Sequence, residues 1–130
     1  MALTNQIVGN VGMYFVCYKL SLLGWNAMPT ARNAKGIDVI AYSPDGKNFR
    51  GIQVKAQTGC DNVPLKRSLD DLMGDLWVIV TNAPSDAPVC YILTPDEVKA
   101  GAKCYNQDHW LQKAAFLRDE FRERWDRLTV

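Results

Sequence analysis

Residues 37–43 and 49–57 are both rich in β-branched and apolar side chains, and the five residues Ser43-Pro44-Asp45-Gly46-Lys47 between them carry hairpin chemistry. Pro44 fixes φ and Gly46 supplies a positive φ, so the two runs fold back on each other as antiparallel strands. Turn length then decides which side chains meet. A two-residue turn at Asp45-Gly46 sets Asp38 directly opposite Gln53. A Pro-Asp-Gly turn with a glycine bulge, the commoner use of that tripeptide, sets Asp38 opposite Ile52, and Gly51 is then the expected place for a further bulge.

Other elements follow from spacing. Residues 4–23 open on a capping candidate, Thr4 or Asn5, close at Gly24, and repeat Val8, Val11, Phe15, Tyr18 and Leu22 at helical intervals. Gly9 and Gly12 inside that pattern let another backbone come close, which puts the helix against a sheet or a partner. Residues 25–28 read as a short extended run ended by Pro29. Residues 68–73 make a short helix capped by Ser68 and stopped by Gly74. Residues 76–81 and 89–93 are continuous apolar runs, read as buried neighbouring strands. Thr94-Pro95-Asp96-Glu97 is a capping box that starts a short helix ending near Gly101. The last segment reads as an amphipathic helix with Leu117, Phe121, Trp125 and Leu128 on one face and Glu120 and Arg124 spaced as an exposed pair. The expected architecture is α/β: a mixed, mostly antiparallel sheet flanked by helices, in one domain over residues 1–130.

Fifteen Lys and Arg against fourteen Asp and Glu leave a net charge of +1, which excludes a whole-surface attraction for nucleic acid or acidic lipid. Any such attraction is local. Residues 30–68 hold seven basic side chains, Arg32, Lys35, Lys47, Arg50, Lys55, Lys66 and Arg67, against three acids, so a phosphate backbone is expected there if anywhere. Arg32, Lys35, Lys66 and Arg67 are the candidate nucleic-acid contacts. Cys17, Cys60, Cys90 and Cys104 are far apart with no C-x-x-C pair, which argues against a zinc site and for four reduced, buried thiols. The apolar stretch 11–25 is too short for a membrane span and contains Lys19, so the expected location is cytoplasmic.

Chemistry is restricted by what is missing. His109 is the single histidine, in a polar stretch with no nucleophile nearby, and no glycine-rich phosphate loop occurs. Hydrolysis of a phosphodiester without histidine needs a hard divalent ion held by oxygens, and a cation beside the attacking water. Asp38 on one strand and Gln53-Val54-Lys55 on the next supply that set. Asp38 is the anionic ligand, the Gln53 side-chain oxygen and Val54 carbonyl are neutral ligands, and Lys55 stands beside the water. Gln53 and Lys55 share one face of their strand, while Ile52 and Val54 point to the other.

At these residues the chain resembles the PD-(D/E)xK nuclease superfamily, with its helix, its Asp on one strand and its (D/E)-x-K on the antiparallel neighbour. The Q-x-K variant is similar to Mrr-type restriction enzymes. The resemblance covers the helix 9–23, the Gly24-Trp25 turn, Asp38 and Gln53 to Lys55. Residues 63–80 and 90–98 resemble small bacterial proteins of the same fold. The resemblance implies a restriction-endonuclease-like core, a metal-dependent DNA endonuclease or nuclease-like DNA-processing protein, Asp38, Gln53 and Lys55 as catalytic residues, and Mg²⁺ or Mn²⁺ at Asp38, Gln53 and Val54. Its partner is DNA, with RNA as the alternative.

One departure bears on activity. Relatives place a Glu in the first helix where this chain has Met13, so Asp38 is the only carboxylate in the inferred cluster. A single carboxylate holds Mg²⁺ loosely. The competing reading is therefore a catalytically weakened nuclease-fold module that binds nucleic acid or a protein. A third is a homodimer built on the first and last helices.

Overall fold

A computed structural model describes residues 2–31, 36–65 and 68–128. Helix α1 (Asn5–Leu22) is followed by strands β1 (Asn26–Pro29), β2 (Val39–Tyr42) and β3 (Phe49–Ala56). A crossover carries β4 (Val63–Pro64) and a 3-10 turn (Leu69–Asp71) before β5 (Leu76–Thr81) and β6 (Val89–Leu93). Then come α2 (Pro95–Ala100), β7 (Ala102–Tyr105), β8 (Asp108–Leu111), α3 (Lys113–Phe116) and a second 3-10 turn (Trp125–Leu128). The fold is α/β. Its main sheet runs β1-β2-β3-β5-β6, antiparallel throughout except for the parallel pair β3 and β5, and a second, three-stranded antiparallel sheet runs β4-β8-β7.

The sheet separates two apolar layers. On one face, Val8, Val16 and Leu20 of α1 pack on Val39, Ile52, Val78 and Val80. On the other, Trp77, Ile79 and Leu93 meet Val63, Val98, Leu111 and Phe116. All six residues of β5 are buried because both its faces are covered, which is why that strand is apolar without alternation. None of the described helices is long and apolar enough to cross a membrane.

Thr4 caps α1, its hydroxyl accepting from the Ile7 N–H at 3.2 Å. The buried stripe is Val8, Gly12, Val16 and Leu20, and not the expected line through Tyr18 and Leu22, which are exposed. Gly12 turns the helix: a Cβ there would overlap that of Ala56, so the α1 backbone sits directly on β3. The expected close approach is made at Gly12. Around Gly9 a Cβ would meet nothing within 4 Å.

The C-terminal segment departs further from expectation. Residues 117–124 are not helical but run beside the outer edge of β6. The Ile92 N–H donates to the Phe121 carbonyl at 2.9 Å, the Glu123 N–H to the Cys90 carbonyl at 2.8 Å, and the Cys90 N–H to Glu123 Oε1 at 3.0 Å. An open strand edge is a row of unsatisfied donors and acceptors, and satisfying it outweighs the helical periodicity. Phe121 and Leu128 are buried as that periodicity implied, but from irregular backbone, with Glu123 at φ 50°. Arg124 pairs with Asp126, at 2.8 Å, while Glu120 pairs with Arg118.

Candidate functional site at the mouth of the hairpin

The loop between β2 and β3, residues 43–48, is closed by the Ser43 N–H donating to the Asn48 carbonyl at 2.9 Å and by the Gly46 N–H donating to the Ser43 carbonyl at 2.8 Å. Gly46 sits at φ 72°. Val39 pairs with Ile52 and Ile40 with Gly51, with no bulge at Gly51, a register that would set Asp38 opposite Gln53 if it continued unbroken. Ile37 covers Gly51, its Cδ1 lying 3.0 Å from where a Cβ would stand.

The irregularity falls on Asp38 itself. Its N–H donates to the Ile52 carbonyl at 2.9 Å although Val39 is the partner of Ile52, so two residues of one strand face one of the other. Such a slip re-aims a side chain at a sheet margin. The Thr30 N–H donates to the Asp38 carbonyl at 2.9 Å, and the Asp38 Oδ2 accepts from the Val54 N–H at 2.7 Å. A strand N–H lies in the plane of its sheet, so the carboxylate takes the position that a β2 carbonyl would otherwise fill. The Val54 carbonyl leaves its strand on the same side as its N–H.

Two cavities flank this mouth. On the α1 face, one of about 470 Å³ is lined by Asp38 and Val54 with Gln6, Gly9, Asn10, Met13, Tyr14 and Thr30. Met13 thus stands on the wall of the Asp38 cavity, and none of Asp70, Asp71 and Asp75 lines it. On the opposite face, a cavity of about 40 Å³ is lined by Gln53 and Lys55 with Gly36, Asp71, Met73 and Trp77. The Lys55 ammonium lies 5.9 Å from the Trp77 ring centre. The structure therefore joins Asp38 to Val54 and Gln53 to Lys55, and it directs the two pairs to different faces.

Asp75 is occupied elsewhere: its N–H donates to the Gly51 carbonyl and its Oδ2 accepts from the Gly51 N–H, both at 2.7 Å, which clamps β3 to the start of β5. Among the described residues, no three His, Cys, Asp or Glu side chains gather to hold a metal ion. Arg32, Lys35, Lys66 and Arg67 lie outside the described residues. His109 sits on β8, where its carbonyl accepts from the Leu65 N–H at 2.9 Å. The cysteines are free, but only Cys90 is buried; Cys60 and Cys104 are exposed and Cys17 is half-buried, which corrects the expectation of four buried thiols.

The residues that sequence reasoning missed are Gln6, Asn10 and Tyr14. They follow one another at four-residue spacing on α1 and line the Asp38 cavity. Their signal was present in the sequence, since two amides and a phenol at that interval mark a polar strip on an otherwise apolar helix. No family model, curated protein or solved structure matches the chain.

Proposed function

We propose that this protein is a nuclease-like DNA-processing protein with a restriction-endonuclease-like core, acting on phosphodiester bonds with a divalent ion. The observation that carries the reading is the 2.7 Å bond between Asp38 Oδ2 and the Val54 N–H, which splices the Asp of one strand to the Gln-Val-Lys of its neighbour beside an open cavity. The helix, three-strand meander and crossover to a parallel strand around it agree with the resemblance at Asp38 and Gln53 to Lys55.

The donors at the mouth suit Mg²⁺ or Mn²⁺ in kind. Asp38 offers one carboxylate and Val54 one carbonyl, both hard oxygens, and their low charge makes retention depend on substrate phosphate. When bound, the ion supplies Lewis-acid polarisation of the phosphate and a water of lowered pKa. Asp38 holds the site in place through Thr30, Ile52 and Val54. The basic residues Arg32, Lys35, Lys66 and Arg67 track the flanking phosphates.

The weakened-module reading is favoured by one observation, the placement of Gln53 and Lys55 on the face away from the Asp38 cavity. One assay separates the two. Purified protein is incubated with duplex, single-stranded and branched DNA in Mg²⁺ or Mn²⁺, beside the Asp38→Ala variant. Cleavage by the wild type that Asp38→Ala abolishes, with DNA binding retained, supports the nuclease. No cleavage of any substrate, together with no Mn²⁺ binding by calorimetry, rejects the enzyme and leaves the binding module.

A further inference from the structure

Along α1, the residues left out of the core form a second line. Tyr14 and Tyr18 are 61% and 58% exposed. They lie one turn apart, about 6 Å along the helix axis. Gln6 and Asn10 precede them at the same four-residue interval and, with Tyr14, line the cavity that contains Asp38. Gly9 leaves the space beside them open, and Thr30 stands with Asp38 in the same lining. The helix carries a single charged residue, the cation Lys19, whose ammonium lies 5.4 Å from the Phe15 ring centre.

The polar lining selects the occupant. A helix from a second copy, packed here through apolar side chains, would strip water from two amides and a carboxylate without replacing their hydrogen bonds. A nucleobase fits both halves of the surface: its π-face stacks on a tyrosine ring, and its donor and acceptor edge matches an amide side chain in pairs. A volume of about 470 Å³ is of the size that small ligands occupy. In a duplex, the face of a base is stacked and its pairing edge is taken. Only an unstacked strand presents both.

We propose that α1 is a track for single-stranded DNA, in which one base stacks on Tyr14 with its edge towards Gln6 and Asn10, and the next stacks on Tyr18. The choice of nucleic acid rests on the nuclease-like reading above; the preference for a single strand rests on the cavity and the exposed tyrosines. The track delivers a strand to the hairpin mouth by stacking, which tolerates any base sequence.

The test is fluorescence anisotropy in EDTA, so that cleavage plays no part, with one labelled oligonucleotide offered as a single strand and as a duplex. The single strand binds at least about tenfold more tightly, Tyr14→Ala weakens it by about tenfold, and Tyr14→Phe, which keeps the ring, restores it. Gly9→Leu fills the open space and weakens binding without touching a tyrosine. A 2-aminopurine placed in the strand is quenched by wild type and not by Tyr14→Ala. Equal affinity for strand and duplex overturns the proposal, as does affinity unchanged by both Tyr14→Ala and Gly9→Leu. A wild-type dimer in sedimentation that Tyr14→Ala dissolves assigns the face to a second copy and overturns it too. Should a variant unfold, the wild-type ratio of strand to duplex affinity decides alone. Metal-dependent cleavage of duplex with no single-strand preference removes the track and keeps the nuclease; single-strand binding without cleavage does the reverse.

Discussion

Gly9 and Gly12 are three residues apart on one helix, yet substitution is expected to act in opposite directions. At Gly12 an added methyl collides with Ala56 and forces α1 off β3, so Gly12→Ala should cost about 1–3 kcal/mol, the usual scale of overpacking. At Gly9 the methyl meets nothing within 4 Å, and Gly9→Ala should add about 0.5–1 kcal/mol through helix propensity. Urea midpoints for the two variants check both signs. Thiol reactivity divides in the same residue-by-residue way. Burial, with Glu123 nearby, pushes the Cys90 thiol up to about 12, and the group is inaccessible. A thiol-specific reagent should therefore label Cys60 and Cys104 quickly in the native state and Cys90 only on unfolding, which a mass spectrum of the labelled protein reads directly.

Among the elements, α2 is tied at its start to the end of the chain by one side chain. Glu97 Oε1 accepts from the Thr94 N–H at 2.8 Å to close the capping box, and the Arg127 guanidinium grips the same carboxylate, its second nitrogen 3.0 Å from Oε2. The Arg127 hydrogen bond, followed by the Thr94 N–H, holds the Glu97 carboxyl below the ordinary carboxylate range. A depressed folded-state pKa means stability that is present at neutral pH and lost as pH falls through that folded value. Glu97→Ala should cost about 1–2 kcal/mol at pH 7, chiefly through the cap. Glu97→Gln should lose only the charged part, and its stability should converge on that of wild type in acid. Thermal melts between neutral and acid pH follow both.

How far the sequence showed these elements depended on whether the cue was local. The Thr94 to Glu97 box and the apolar run 76–81 each carry their own instruction and appear as read, and Pro44-Asp45-Gly46 gives the hairpin, but through a loop of residues 43–48 in place of either expected turn. The β7–β8 hairpin was missed because its turn, Asn106-Gln107, takes φ 50° and 73° without a glycine. The segment 117–124 was misread because its instruction lies in another strand: the edge of β6 sets its conformation. At the site, the neighbourhood of Asp38 and Val54 was legible from the hairpin register, whereas the division of faces depends on a one-residue slip at Asp38 that no composition announces.

For the whole molecule, docking and chemistry should separate by substitution. On the proposed nuclease reading, Asp38→Ala removes the only carboxylate that lines the cavity on the α1 face among the described residues, so cleavage should vanish while binding persists. Lys66→Ala and Arg67→Ala should each lower the salt slope of binding by about one unit, since each phosphate contact releases a counterion. Cleavage gels and salt-titrated anisotropy distinguish the two classes. The guarded edge of β6 has a further consequence in time. A chain made N-terminus first completes α1 and the first four strands of its main sheet before β6 emerges, and β6 before residues 117–124 exist to cover it. During that interval the nascent sheet offers an open margin to neighbouring chains on the polysome, so a slow codon run after residue 93 should lower soluble yield while leaving the stability of the finished protein unchanged.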